Sequence, residues 1–121
     1  MRLQPEEAIM VAVFDYVRLI KMDRYIWHIA NERKTSPQYG LKLKRMGVKS
    51  GVSDIFVAIP KKEFHGLFIE VKTKKGRLTE SQKTFINDML EMGYYAVACY
   101  GIEDVLDTLN WYLKLPNFSQ S

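Results

Sequence analysis

At 121 residues, 47% hydrophobic and 26% charged, the chain fits one globular domain and excludes a two-domain or disordered protein. Its net charge is a modest +4, and its single cysteine, Cys99, excludes an internal disulfide and a cysteine-rich zinc site. No apolar run approaches the roughly 18 residues of a membrane span, and acids interrupt Met1-Arg2-Leu3-Gln4-Pro5-Glu6-Glu7 before any signal-peptide core, so a cytoplasmic location is expected.

Residues 5–21 read as a helix. Pro5 suits its first position, Glu6 and Glu7 suit the positive end of its dipole, and Ile9, Met10, Val13, Phe14, Val17 and Ile20 form an apolar stripe. Residues 25–30 read as a first strand. Residues 31–50, with Pro37, Gly40 and Gly47, read as a mobile loop holding at most a short helical turn. Strands at 52–59 and 66–73 are joined closely enough to pair as an antiparallel hairpin. Thr79-Glu80-Ser81-Gln82 has the form of a capping box and opens a helix that runs to Met92, with Gly93 as its stop. A fourth strand at 94–100 follows, so strand–helix–strand favours a right-handed parallel crossover. A last helix covers 103–114, and the tail from Pro116 reads as frayed. The fold class expected is α/β, a mixed four-stranded sheet flanked by helices in the order α-β-β-β-α-β-α, within one domain spanning 1–121.

Charge is unevenly placed. From Arg33 to Ser53 there are six basic residues (Arg33, Lys34, Lys42, Lys44, Arg45, Lys49) and no acid; Lys72, Lys74, Lys75 and Arg77 form a second cluster. Such clusters are the footprint of a polyanion-binding surface, although a solvated face explains them too. Both flank Asp54, Glu70 and Lys72 in sequence. Side chains alternate along a strand, which sets Leu67, Ile69 and Val71 on one face and Glu70 and Lys72 on the other. A Glu and a Lys held together in an apolar strand are costly there without a task. With Asp54 on the neighbouring strand they place two carboxylates and an ammonium around one point, the chemistry of a divalent-metal phosphodiesterase. The plainer alternative is an exposed Asp and a solvated Glu–Lys pair.

Gly51-x-x-Asp54, the hairpin, Glu70-x-Lys72 and Gly76-x-Leu78-x-x-x-Gln82 together resemble the PD-(D/E)XK nuclease superfamily, and within it the VRR-NUC family of virus-type replication-repair nuclease domains. The likeness spans residues 6 to 106. It departs at Ser53, where the superfamily pattern has Pro. The resemblance implies a restriction-endonuclease-like fold and a DNA endonuclease that uses Mg²⁺ or Mn²⁺. It implies that Asp54 and Glu70 hold the ion with the backbone carbonyl of Val71, that Lys72 serves the attacking water, and that Gln82 positions Lys72 or water. For Gln82, the capping role is the alternative. A first-helix acid is implied at the ion or its water shell: Glu6, in register with the sheet-facing stripe, or else Glu7. The basic residues, Arg33 to Lys49 and Lys74 to Arg77, are expected to grip phosphates.

Stand-alone members resemble Holliday-junction resolvases that act as dimers, so branched DNA and a homodimer are expected, with Trp111-Tyr112-Leu113-x-Leu115 as a candidate interface. A phage or bacterial setting fits the resemblance. Two other classes compete: a catalytically silent nucleic-acid-binding module and a sequence-specific restriction-type nuclease. His28 and His65 stand apart from other metal-ligating residues in sequence, which speaks against a His–metal nuclease. Tyr94, Tyr95, Tyr100 and Trp111 read as core or interface before base-stacking residues, and Cys99, among Val97, Ala98 and Tyr100, as a core thiol.

Overall fold

Eight elements form in the order α1 (Pro5–Leu19), β1 (Ile26–His28), α2 (Pro37–Arg45), β2 (Ile55–Val57), β3 (Leu67–Lys72), α3 (Glu80–Glu91), β4 (Tyr95–Tyr100) and α4 (Ile102–Leu113) in the computed structural model, which describes residues 2–30 and 36–118. The four strands make one sheet in sequence order. β1–β2 and β2–β3 run antiparallel, whereas β3 and β4 are parallel and joined through α3. The expected mixed α/β sheet and the hairpin are thus both present.

Alternation decides how the sheet packs. Ile26, Ile55, Val57, Leu67, Ile69 and Val71 are fully buried in one cluster with Val13 and Val17 of α1 and Val105, Leu109 and Tyr112 of α4. Each such aliphatic side chain contributes about 1.5–3 kcal/mol relative to exposure. The opposite face carries Phe56 and Phe68, with ring centroids 4.6 Å apart; Phe68 meets Phe85 of α3 edge-on at 5.2 Å. β3 is therefore covered on both faces, by α1 on one side and α3 on the other. That is why Glu70, which points away from the aliphatic core, is still buried.

The structure departs from the sequence expectations in three places. The segment read as a loop contains α2, nine residues long. Ser36 caps it by accepting the Tyr39 N–H at 3.1 Å, Pro37 sits at its first position, and Lys42, Lys44 and Arg45 fill its last turn, favourable to the helix dipole. Pro37, read as a mark of loop, thus starts a helix, and Gly40 in its interior costs only about 1 kcal/mol. The tail is held at its first residues: the Lys62 N–H donates to the Pro116 carbonyl at 2.9 Å, and Lys61 Nζ donates to Asn117 Oδ1 at 2.9 Å. The stretch Trp111–Leu115 belongs mostly to the core. Tyr112 is fully buried and donates its hydroxyl to the Ile59 carbonyl at 2.7 Å, and Leu113 and Leu115 pack on the same cluster. Trp111 alone is half exposed, leaning on Tyr95.

Candidate active site

Asp54 ends the turn that leads into β2, one pair beyond the Ile55–Ile69 register, which brings it beside Glu70 of β3. The Val71 N–H donates to Asp54 Oδ2 at 2.7 Å and fixes its carboxylate. Gly51 makes this placement possible. Its φ is +84°, and a Cβ there would collide with the backbone carbonyl of Ser81 in the first turn of α3. Only a glycine lets the turn before Asp54 lie directly against that helix end.

Glu70 is 3% exposed. Its Oε2 accepts from Gln82 Nε2 at 3.2 Å, while its Oε1 is buried without a hydrogen-bond partner. Burial, and then the adjoining Asp54 carboxyl, which can share a proton with it and repels its charge, push Glu70 up to about 9; the Lys72 ammonium pulls the other way. Another buried side-chain polar atom without a partner, Ser53 Oγ, stands next to Asp54 in the chain.

Lys72 follows at the end of β3, on the Glu70 side of the strand and half buried. No salt bridge joins the two among the described residues, so the Lys72 ammonium is not spent on Glu70. Its stem lies against the turn at Gly76, where a Cβ would come within 3.3 Å of both Lys72 Cβ and Cδ. The two glycines of the sequence pattern thus have steric reasons: one seats Asp54, the other leaves room for Lys72.

Gln82 serves the cap, and it reaches the site by holding Glu70 and not Lys72. Its Oε1 accepts the Thr79 N–H at 2.9 Å and the Thr79 hydroxyl accepts the Gln82 N–H at 3.2 Å, completing the capping box. The same side chain's Nε2 reaches Glu70. In the first helix, Glu7 Oε1 accepts the Gln4 N–H at 2.7 Å and so closes a capping box of its own. Glu6 lines the cleft with Asp54 and Glu70, and its charge adds to the pressure on Glu70.

Together these residues stand in a cleft of about 930 Å³, walled by α2 and its following turn (Leu43, Lys44, Lys49) and by the start of α3 (Thr79, Ser81). Of the expected phosphate-gripping residues, Lys44 and Lys49 line this cleft. Lys42 and Arg45 are exposed on α2, and Lys74, Lys75 and Arg77 are exposed on the loop before α3. Arg33 and Lys34 lie outside the described residues. His65 is exposed beside Tyr94, and His28 lines a smaller hollow on the α1 side of Asp54. The role of α2 as a wall was missed because its helix was; Ser36-Pro37 was the signal that could have found it. Cys99, raised to about 11 by burial and bonded to Thr108, is the core thiol expected.

The donor set suits a hard divalent cation. Two carboxylates crowd together, one buried oxygen lacks a donor, and among the described residues no His or Cys lines the cleft. Among the described residues no three His, Cys, Asp or Glu side chains gather closely enough to hold an ion by themselves. Glu6 therefore does not complete a three-carboxylate cluster with Asp54 and Glu70, and main-chain oxygen or water is needed to fill the remaining positions.

The chain matches the family model of the VRR-NUC domain over residues 15–103. That range contains Asp54, Glu70, Lys72 and Gln82 and leaves Glu6 outside. No curated protein matches it. A solved structure described as a VRR_NUC domain protein superposes with a TM-score of 0.83 at 31% identity, covering 98% of this chain and 96% of that one. This chain belongs to the VRR-NUC domain family, whose members are nucleases of the PD-(D/E)XK superfamily.

Proposed function

We propose that the protein is a DNA endonuclease that hydrolyses phosphodiester bonds with Mg²⁺ or Mn²⁺, held by Asp54, Glu70 and the Val71 carbonyl, with Glu6 reaching the ion's water shell. The observation that carries this reading is buried Glu70 paired with part-buried Asp54, with Lys72 and Gln82 beside them, in a cleft whose walls carry lysines. A pure binding surface gains nothing from two acids facing phosphate, so the silent-module alternative leaves the pair without a use. When bound, the cation supplies charge neutralisation for the two carboxylates and Lewis acidity at the phosphodiester.

The chain's own groups supply the rest. Lys72 orients the attacking water and balances the charge that grows on the phosphate oxygens as the water oxygen bonds to phosphorus and the leaving oxygen departs. Gln82 fixes Glu70, and the Val71 N–H fixes Asp54, so neither carboxylate has to reorganise. Lys44 and Lys49 hold the flanking phosphates, which positions DNA without reading sequence. Branched or flapped DNA is the favoured substrate, and a two-fold dimer would offer two clefts to a four-way junction. Cleavage of labelled four-way-junction, flap and linear duplex DNA tests the reading, with Mg²⁺, Mn²⁺ or chelator. Cutting of branched DNA only with the cations is expected; cutting confined to one duplex sequence contradicts it. Light scattering after size exclusion tests the dimer, which a mass of one chain at micromolar concentration contradicts.

A further inference from the structure

The hollow on the α1 side of the carboxylates has a volume of about 240 Å³ and shares Glu6 and Asp54 with the large cleft. Its apolar walls are Leu3, Met10 and Val11, and His28 faces them from β1. Among the described residues no lysine or arginine lines it, whereas Lys44, Lys49 and Lys72 line the cleft. The lysines therefore draw phosphate to the cleft, whereas the hollow, with Glu6 and Glu7 on its α1 side, has no cationic side chain among the described residues to hold one. The group that suits the hollow is uncharged and largely apolar. A volume below the roughly 300–1,000 Å³ of drug-sized ligand pockets fits one small flat group.

His28 supplies the flat surface. It pairs with Ile55 and lies on the same sheet face as Ile26, toward α1. Because β1 is the edge strand, its ring stays exposed. The Phe14 ring of α1 stands nearby, centroids 6.5 Å apart. Exposed rings of this kind stack on nucleobases regardless of base identity. Val11, at 46% exposure, sits at the same seam.

We propose that this hollow receives one unpaired base of the substrate, neighbouring the phosphate held in the cleft and stacked on His28. A base inside a duplex must first leave its stack, while a base at a flap or branch is already free. The inference rests on the phosphodiesterase reading and adds to it a physical source of preference for branched DNA.

The test uses flap DNA with 2-aminopurine as the first unpaired base. It is titrated with Asp54→Asn protein, so that nothing is cut, and with the same protein carrying His28→Ala or Val11→Gln, whose longer side chain fills the hollow. Binding is followed separately by the anisotropy of a label at the far duplex end. Both substituted side chains are exposed, so the variants keep the fold. The expected result is an emission change at saturation with the parent protein that is lost in both variants, although both still bind. In parallel, His28→Ala in the otherwise wild-type protein lowers the kcat/KM preference for flap over paired duplex by about tenfold, the scale of one lost base–aromatic stack. Unaltered emission at saturation, or the same change in both variants, overturns the inference, as does absence of binding. A His28-dependent emission change with a wild-type protein that cuts no DNA supports the base pocket and defeats only the hydrolytic reading. Cutting without any emission change does the reverse.

Discussion

At Gln82 the carbonyl oxygen and the amide nitrogen serve different partners, the Thr79 N–H and the Glu70 carboxyl. Two substitutions separate these roles. Gln82→Glu keeps an acceptor for the cap and loses the donor to Glu70, so it should leave the melting temperature near wild type while cleavage falls at least about tenfold. Gln82→Ala should lose both, with a cost of about 1 kcal/mol in thermal unfolding. A Gln82→Glu protein that cuts as fast as wild type reduces Gln82 to a cap. Glu70 carries a pH signature. In metal-free protein its folded value, about 9, lies above its ordinary one of 4.5. Between these the folded state holds a proton that the unfolded state has released, so the Glu70 contribution is fully present below about 4.5 and is lost as pH rises toward 9. Melting in chelator should therefore fall from pH 5 to pH 8, less steeply in Glu70→Gln, and Mg²⁺ or Mn²⁺ at pH 8 should restore it. An identical slope in wild type and Glu70→Gln contradicts the assignment. Glu70 and Lys72 were legible because alternation in a strand is strict. The reason for Gly51 was not, since the helix end it touches lies thirty residues further along the chain.

Elements set how much of the cleft is framework and how much is wall. The start of α3 is framework, because the turn at Gly51 is seated on it. Gly51→Ala must either abandon a φ of +84° or push Ser81 away. It should destabilise the protein by about 2 kcal/mol or more in denaturant unfolding and weaken cleavage by shifting Asp54. A variant as stable and active as wild type would show that the turn is free to move. α2 is wall, with no buried residue of its own. Replacing Lys44 and Lys49 together with Ala should leave stability within about 0.5 kcal/mol. The same change should reduce the slope of log affinity for duplex DNA against log salt by roughly 2. An unchanged slope removes both lysines from the phosphate path. The sequence concealed α2 because Pro and Gly punctuate most segments. Their position, Pro just after a capping Ser, is what makes a helix start here. The same limit explains Trp111–Leu115, whose apolar run was compatible with a core or an interface until α4 was seen to lie on the sheet.

Across the whole molecule, one sheet end collects charge of both signs. The mixed sheet fixes Glu70 and Lys72 on its doubly covered central strand, antiparallel β2 brings Asp54 alongside, α1 delivers Glu6, and α2 with its following turn delivers lysines. Apart from α2, the order of elements and this meeting point were legible because hydrophobic period and turn residues agree along most of the chain. What sequence alone did not reach was the division of that sheet end into a basic cleft and an apolar hollow, which depends on how α1 sits over the edge strand. Among the described residues no helix is long and apolar enough to cross a membrane. The most direct measurement of the central claim is cleavage of labelled flap DNA with Mg²⁺ or Mn²⁺ by wild type beside Asp54→Asn and Lys72→Ala. The account predicts metal-dependent cutting that falls at least about 100-fold in both variants while each still binds the DNA. Cutting that survives in either variant, or no cutting by wild type of any DNA it binds, contradicts it.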